Sequence, residues 1–185
     1  MNRREVVQYI TVLLGGAMVG ANHFLAGCKA GSNEYLFTDK DIELLDEIAE
    51  TILPETDIPG AKAAKTGAFM ALMVNDCYDK QEQVIFRNGM ISIDEGAVNA
   101  FGLPFVKCSP IQKHQLLEKL DVEQKQHRKS RSEAEPTHYF RMMKELVLLG
   151  YFTSEIGYTQ AKRYLRVPGR YEGCVQYEKG DKAIV

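Results

Sequence analysis

Between residues 39 and 52 the apolar positions Ile42, Leu45, Ile48, Ala49 and Ile52 recur at steps of three and four, the mark of a helix with one buried face. Thr38 precedes the run and Asp41 follows three residues later, which is capping-box spacing. Pro54 ends it, because a proline disfavours helical geometry in the residue before it. A second helix is predicted from near Ala63 to Tyr78, burying Phe69, Met73 and Cys77 or their neighbours. The stretch SIDEGAVNAFG offers Ser92 and Glu95 as another box and Gly102 as a stop. The clearest start is SPIQKHQLLEKL, with Ser109 as cap, Pro110 at the first helical position and Gln112 closing the box. Residues 127–136, HRKSRSEAEP, read as a charged solvent loop. The last strong helix is THYFRMMKELVLLG, with Tyr139 or Phe140, Met143, Leu146 and Val147 inward and Gly150 at its end. No run alternates as a strand would. The pattern predicts an all-α chain: a single small helical domain with an irregular C-terminal wrap.

The N-terminus is patterned differently. Arg3 and Arg4 precede an almost wholly apolar run at residues 6–21, and small residues lead to LAGC at residues 25–28. Basic, apolar and small-residue regions in that order are the layout of an export signal. The apolar run is too short and glycine-rich for a comfortable span, which takes about 20 apolar residues. Leu25, Ala26, Gly27 and Cys28 resemble a bacterial lipobox, where cleavage precedes the cysteine and its thiol carries lipid. NRREVVQ is similar to a twin-arginine signal, although Val6, Val7 and Gln8 depart from its usual residues; general secretory export stays open. The expected division is a signal peptide at 1–27, a lipidated tether at 28–37 and a helical domain at 38–185. The expected location is the periplasmic face of a bacterial membrane, lipid-anchored, with Lys29 compatible with outer-membrane sorting.

Charge and cysteines narrow the reading. The formal charge of −2 carries no basic footprint for nucleic acid. With Cys28 lipidated, Cys77, Cys108 and Cys174 remain, an odd number that in an oxidising compartment implies one disulfide and one free thiol. We expect Cys77–Cys174 with Cys108 left over, the other two pairings staying open. His and Cys show no metal-finger spacing. His114 and Glu118 share a helix face as many surface pairs do. No GxSxG, HExxH, phosphate loop or dinucleotide GxGxxG is present. The expectation is a chain with no catalytic centre, no metal and no cofactor of its own.

Two segments are irregular. LPETDIPGAKAAKTG, residues 53–67, sets prolines, threonines and glycines between helices, and residues 148–174 replace an ordinary turn with aromatics and glycines. Loops of this composition suit protein contact. The candidate partner surface is Pro54, Thr56, Asp57, Pro59 and Gly60 together with Tyr151, Phe152, Ser154 and Glu155, and Thr153 or Ser154 is a candidate cap for a short helix holding Tyr158, Ala161 and Tyr164.

On the paired Arg3 and Arg4, ILPETDIPGA, DCY at 76–78, GYFTSEIG at 150–157 and YLRVPGRYEGC at 164–174, the chain resembles the gluconate 2-dehydrogenase subunit 3 family. The resemblance implies a non-catalytic small subunit. Its partner would be a large subunit of the glucose–methanol–choline type that carries FAD and oxidises a sugar or alcohol. The small subunit would help export and mature it, and a cytochrome would accept the electrons. The lipobox is a departure, making this chain the membrane tether as well. A stand-alone periplasmic lipoprotein that binds a ligand or scaffolds a complex is the alternative.

Overall fold

The computed structural model describes residues 37–132, 135–167, 169, 170, 173, 174, 176 and 178–183. They fall in one unit, Phe37–Val185. The signal, the lipobox and Cys28 lie outside them. Five α-helices follow in order: α1 (Asp39–Ile52), α2 (Thr66–Cys77), α3 (Lys80–Phe101), α4 (Pro110–Ser130) and α5 (Tyr139–Thr153). A 3₁₀ turn, Phe105–Lys107, joins α3 to α4, and a π-helical turn, Gly157–Ala161, follows α5. No strand occurs among the described residues.

Local chemistry sets the helix starts. Thr38 with Asp41, Asp79 with Glu82 and Ser109 with Gln112 each form a reciprocal capping box. Each box satisfies amides that the first helical turn leaves without partners. α3 ends at Gly102, whose φ of 72° is a left-handed cap that other residues enter at a cost. Two caps come from afar. α2 begins at Lys65 with no side-chain cap of its own, and the Asp46 carboxylate of α1 accepts from the Gly67 amide at 2.8 Å. At the other end, Gln83 Nε2 reaches the carbonyls of Val74, Asn75 and Tyr78, each at 3.1 Å.

α5 packs against all four other helices. Its Phe140, Met143 and Val147, Leu45 and Ile48 of α1, Met70 and Val74 of α2, and Phe86 and Ile93 of α3 are fully buried and make up the core. Each such side chain contributes about 1.5–3 kcal/mol over its exposed state. Charge also crosses the core edge. Glu47 of α1 pairs with Lys113 of α4 at 2.6 Å and with Lys62 at 2.5 Å. Burial raises the Glu47 carboxyl, but the two lysines outweigh it and hold the group below its usual range. Asp121 of α4 binds Lys125 at 2.7 Å and also Lys144 of α5; burial is again outweighed, and its pKa falls to about 2.

Several expected boundaries move. α2 starts at Thr66, one turn later than expected, because residues 61–65 form a separate turn. Its buried face is Met70, Ala71 and Val74, while Phe69 and Met73 are half-buried and Cys77 is exposed. Ser92 lies inside α3, its hydroxyl donating to the Asn88 carbonyl at 2.9 Å; the effective box is thirteen residues upstream at Asp79. α4 runs through Ser130 into the stretch expected to be loop, and α5 passes Gly150 to end at Thr153.

Candidate functional site

Residues 53–65 leave α1 at Pro54 and return to α2, and one side chain organises their path. Glu50 Oε1 accepts from the Glu55 amide and Oε2 from the Lys62 amide, both at 2.8 Å. The Ala61 amide donates to the Leu53 carbonyl at 3.0 Å, closing the base of the loop. Gly60 is buried against Glu50, where a Cβ would lie 2.4 Å from Oε1. Pro54, Glu55, Thr56 and Asp57 form the exposed tip, and Pro59 is half-buried.

The second segment begins where α5 stops. The Ser154 hydroxyl donates to the Tyr151 carbonyl at 2.6 Å and accepts from the Gly157 amide at 3.1 Å. Ser154 thus ties the end of α5 to a π-helical turn that contains Tyr158 and Ala161 and stops short of Tyr164; the turn's own N-cap is Ile156, with no side-chain cap, so neither Thr153 nor Ser154 fills that expected role. The turn folds so tightly on α5 that a Cβ at Gly157 would lie 2.0 Å from the Tyr151 carbonyl oxygen, so only glycine fits there. Lys162 then crosses back, its ammonium 5.2 Å from the Phe152 ring centre and 5.0 Å from that of Tyr158. Such cation–π contacts contribute about 0.5–1 kcal/mol each at exposed sites.

Tyr151 joins the two segments. Its hydroxyl donates to the Pro59 carbonyl at 2.8 Å across 92 residues of sequence. The phenol is 6% exposed, and burial, assisted by the Glu50 charge, raises its pKa. The residues of the expected partner surface thus divide into two sets. Tyr151, Ser154 and Gly60 face inward and build the site, whereas Pro54, Thr56, Asp57 and Glu155 are exposed and Phe152 and Pro59 partly so. Glu50 and Lys162 are the members that sequence reasoning missed. A lone glutamate on an amphipathic helix gives no sign that it gathers a loop.

A family model described as gluconate 2-dehydrogenase subunit 3 matches residues 39–169. The chain belongs to this family. The match covers the first irregular segment and the second as far as residue 169, with the Glu50 hub and the Tyr151 latch. The family's description is that of one subunit of a dehydrogenase complex, which gives the chain an accessory role beside a dehydrogenase subunit. Neither the curated proteins nor the solved structures contain a match.

Other chemistry is sparse among the described residues. Cys77 and Cys174 are exposed free thiols, and Cys108 is a buried one whose Sγ lies 3.6 and 3.5 Å from the carbonyls of Leu103 and Pro104. The expected Cys77–Cys174 bridge is not formed in this structure, in which all three of these thiols are free. No group of three or more His, Cys, Asp or Glu is arranged to hold a metal among these residues, and none of their helices is long and apolar enough to cross a membrane. His114 and Glu118 stand 4.0 Å apart, both largely in solvent. A groove of about 660 Å³ runs between α1 and α3, walled by Leu44, Met90, Ile91, Pro104 and Val106 with charged residues at its rim.

Proposed function

We propose that this chain is the small subunit that binds an FAD-dependent sugar or alcohol dehydrogenase of the glucose–methanol–choline type, helps its export and tethers it to a membrane. The observation that carries the reading is the family membership over residues 39–169. The geometry supports it, because one exposed edge is built from two segments held rigid from behind by Glu50, Tyr151 and Ser154. A recognition edge on a stiff support loses little conformational freedom on binding. In this reading FAD and the chemistry belong to the large subunit, and a cytochrome takes the electrons. Arg3 and Arg4 route the pair through the twin-arginine path, which suits cargo loaded with FAD before export. Cys28 holds the complex on the periplasmic face of the membrane, the outer one by preference, through its lipid.

The test is a gentle detergent pull-down of the tagged chain from its own host, reading flavin absorbance on the eluate. The expected result is a yellow eluate with a larger polypeptide. Exposed Asp57 and Glu155 supply the second arm: Asp57→Lys with Glu155→Lys should lose the flavoprotein while the helical melt is unchanged. A colourless, single-chain eluate that crosslinking leaves unaltered overturns the proposal in favour of a stand-alone lipoprotein.

A further inference from the structure

Past the π-helical turn, five consecutive residues, 163–167, are exposed. Three of them are apolar: Tyr164, Leu165 and Val167 are 50%, 37% and 82% exposed. The strap they form is pinned at its start, where the Arg163 amide donates to the Ala183 carbonyl at 2.8 Å. Its aromatic member is held as well, the Tyr164 ring standing edge-on to Tyr158 with centres 5.9 Å apart. Isolated apolar side chains on a surface need no explanation, but three within four residues of a pinned segment do.

Charge and reach say what covers the strap. From residue 156 to residue 171 the sequence has no acid and four cations, Lys162, Arg163, Arg166 and Arg170, in a chain whose formal charge is −2. Lys162 is already spent on the Phe152 and Tyr158 rings. The guanidiniums of Arg163 and Arg166 have no ion pair or hydrogen bond among the described residues, so their charge is open to a partner. That partner is anionic and also takes up aliphatic side chains between the arginines. A phospholipid surface does both: headgroups meet arginine and tyrosine, while leucine and valine enter the acyl boundary. Nine peptide links join Cys28 to Phe37 and reach at most about 32 Å when fully extended. A domain held by lipid on such a tether stays beside the bilayer, at an effective concentration where weak contacts suffice.

We propose that residues 163–167 are a membrane-docking strap, seated on an anionic phospholipid surface with Arg163 and Arg166 at its headgroups and Leu165 and Val167 below them. The proposal rests on the lipid at Cys28 proposed above, which brings the domain to the bilayer. Each cation near such a surface contributes about fivefold to binding, so the two arginines give about 25-fold. Alone that is a weak hold; beside a tether it fixes which side of the domain meets the lipid. The strap starts next to Lys162, which lies over Phe152, so the edge offered to the dehydrogenase subunit borders the bilayer.

The chain has no tryptophan, so Val167→Trp reports on the strap alone. The full-length gene is expressed in its own host, and the product is purified in detergent and weighed by mass spectrometry for lipid on Cys28. It is then placed in vesicles of phosphatidylglycerol and phosphatidylcholine. The emission should shift to the blue, and brominated acyl chains should quench it. Arg163→Glu with Arg166→Glu should cut that quenching at least about fivefold without altering the helical melt, and vesicles of phosphatidylcholine alone should do the same. Ile111→Trp, at a position 71% exposed on α4, should not be quenched. A lipidated chain whose Val167→Trp emission stays that of a residue in water overturns the proposal and leaves the tether standing. So does quenching that ignores the two arginines, or that is equal at Ile111→Trp. A chain without lipid on Cys28 overturns the tether, and the strap with it. A blue shift that arises in detergent only when the flavoprotein is bound gives the strap to the large subunit and overturns its docking on lipid.

Discussion

Replacing Tyr151 by Phe isolates the latch between the two segments. The substitution keeps the ring, which sits 5.2 Å edge-on from Phe152, and removes only the hydroxyl. Pro59 loses the donor that now stands at 2.8 Å, in a position only 6% exposed at the tyrosine. A net hydrogen bond is worth about 0.5–1.5 kcal/mol, and this one is shielded in part from water, so the expected cost is about 1.5 kcal/mol. Residues 53–65 keep their other ties, to Glu50 and Leu53, so the loss should appear first as local opening. The assay is urea unfolding with amide hydrogen exchange on the same variant. With a slope of about 1.5–2 kcal/mol per molar, the midpoint should fall by about 0.7–1 M. Exchange should quicken at the amides of Thr56 and Ala61, bonded to the carbonyls of Ile58 and Leu53, before it quickens in α5. A midpoint unchanged within about 0.2 M, with exchange at those amides unaltered, would refute the argument that Tyr151 holds the loop.

Three further outcomes follow from the packing. Gly89→Ala should destabilise the chain by about 2 kcal/mol in urea, because its Cβ would meet Tyr139 Cβ at 2.6 Å and the ring at 2.4 Å, and overpacking of about 3 kcal/mol exceeds the helical gain of about 1 kcal/mol. Thr66→Val should raise the melting temperature by a few degrees, about 1 kcal/mol, since the buried Thr66 hydroxyl has no hydrogen-bond partner among the described residues and valine keeps the shape. His138 caps α5 by accepting the Phe140 amide on Nδ1 at 3.2 Å, and burial, with the nearby His127, lowers its pKa below 6.5 against the pull of Glu123. The unfolded chain then binds the proton more readily, so this contribution is complete above pH 6.5 and lost as the pH falls through the lowered value. Melts between pH 7.5 and 5 should show that loss, and His138→Asn, which keeps an acceptor without a titrating ring, should abolish its pH dependence.

Local signals carried the helix starts, and non-local ones escaped. Thr38–Asp41 and Ser109–Gln112 are readable because donor and acceptor lie three residues apart. The Ser92–Glu95 pair has the same spacing and misleads, since a capping box forms only where the preceding residues are not already helical; Asp79–Glu82 had claimed them. The buried face of α2 was left open between Phe69, Met73 and Cys77 and their neighbours, and the neighbours Met70 and Val74 fill it. Its Ala, Met, Leu and Val positions are apolar on nearly every side, so periodicity left the orientation undecided, and α1 and α5 choose it by packing on Met70 and Val74. The all-α class and the inward face of α5 were legible because their apolar positions have a clear period.

The same distinction explains the candidate site. Composition marked residues 53–60 and 150–157 as irregular, and proline, glycine and serine do govern both turns. What composition does not encode is which irregular residues look inward. Aromatics on a loop read as contact residues, yet the Tyr151 ring lies on the core side of α5 and its hydroxyl is spent on Pro59. Phe152, one residue on, is rotated by about 100° and shares Lys162 with Tyr158 at the surface. A substitution at Tyr151 therefore disturbs partner binding, if at all, by loosening the edge. Asp57 and Glu155 test recognition without that confusion, because they are exposed and no capping contact rests on their carboxylates. Separating those two kinds of variant tells a lost support from a lost contact.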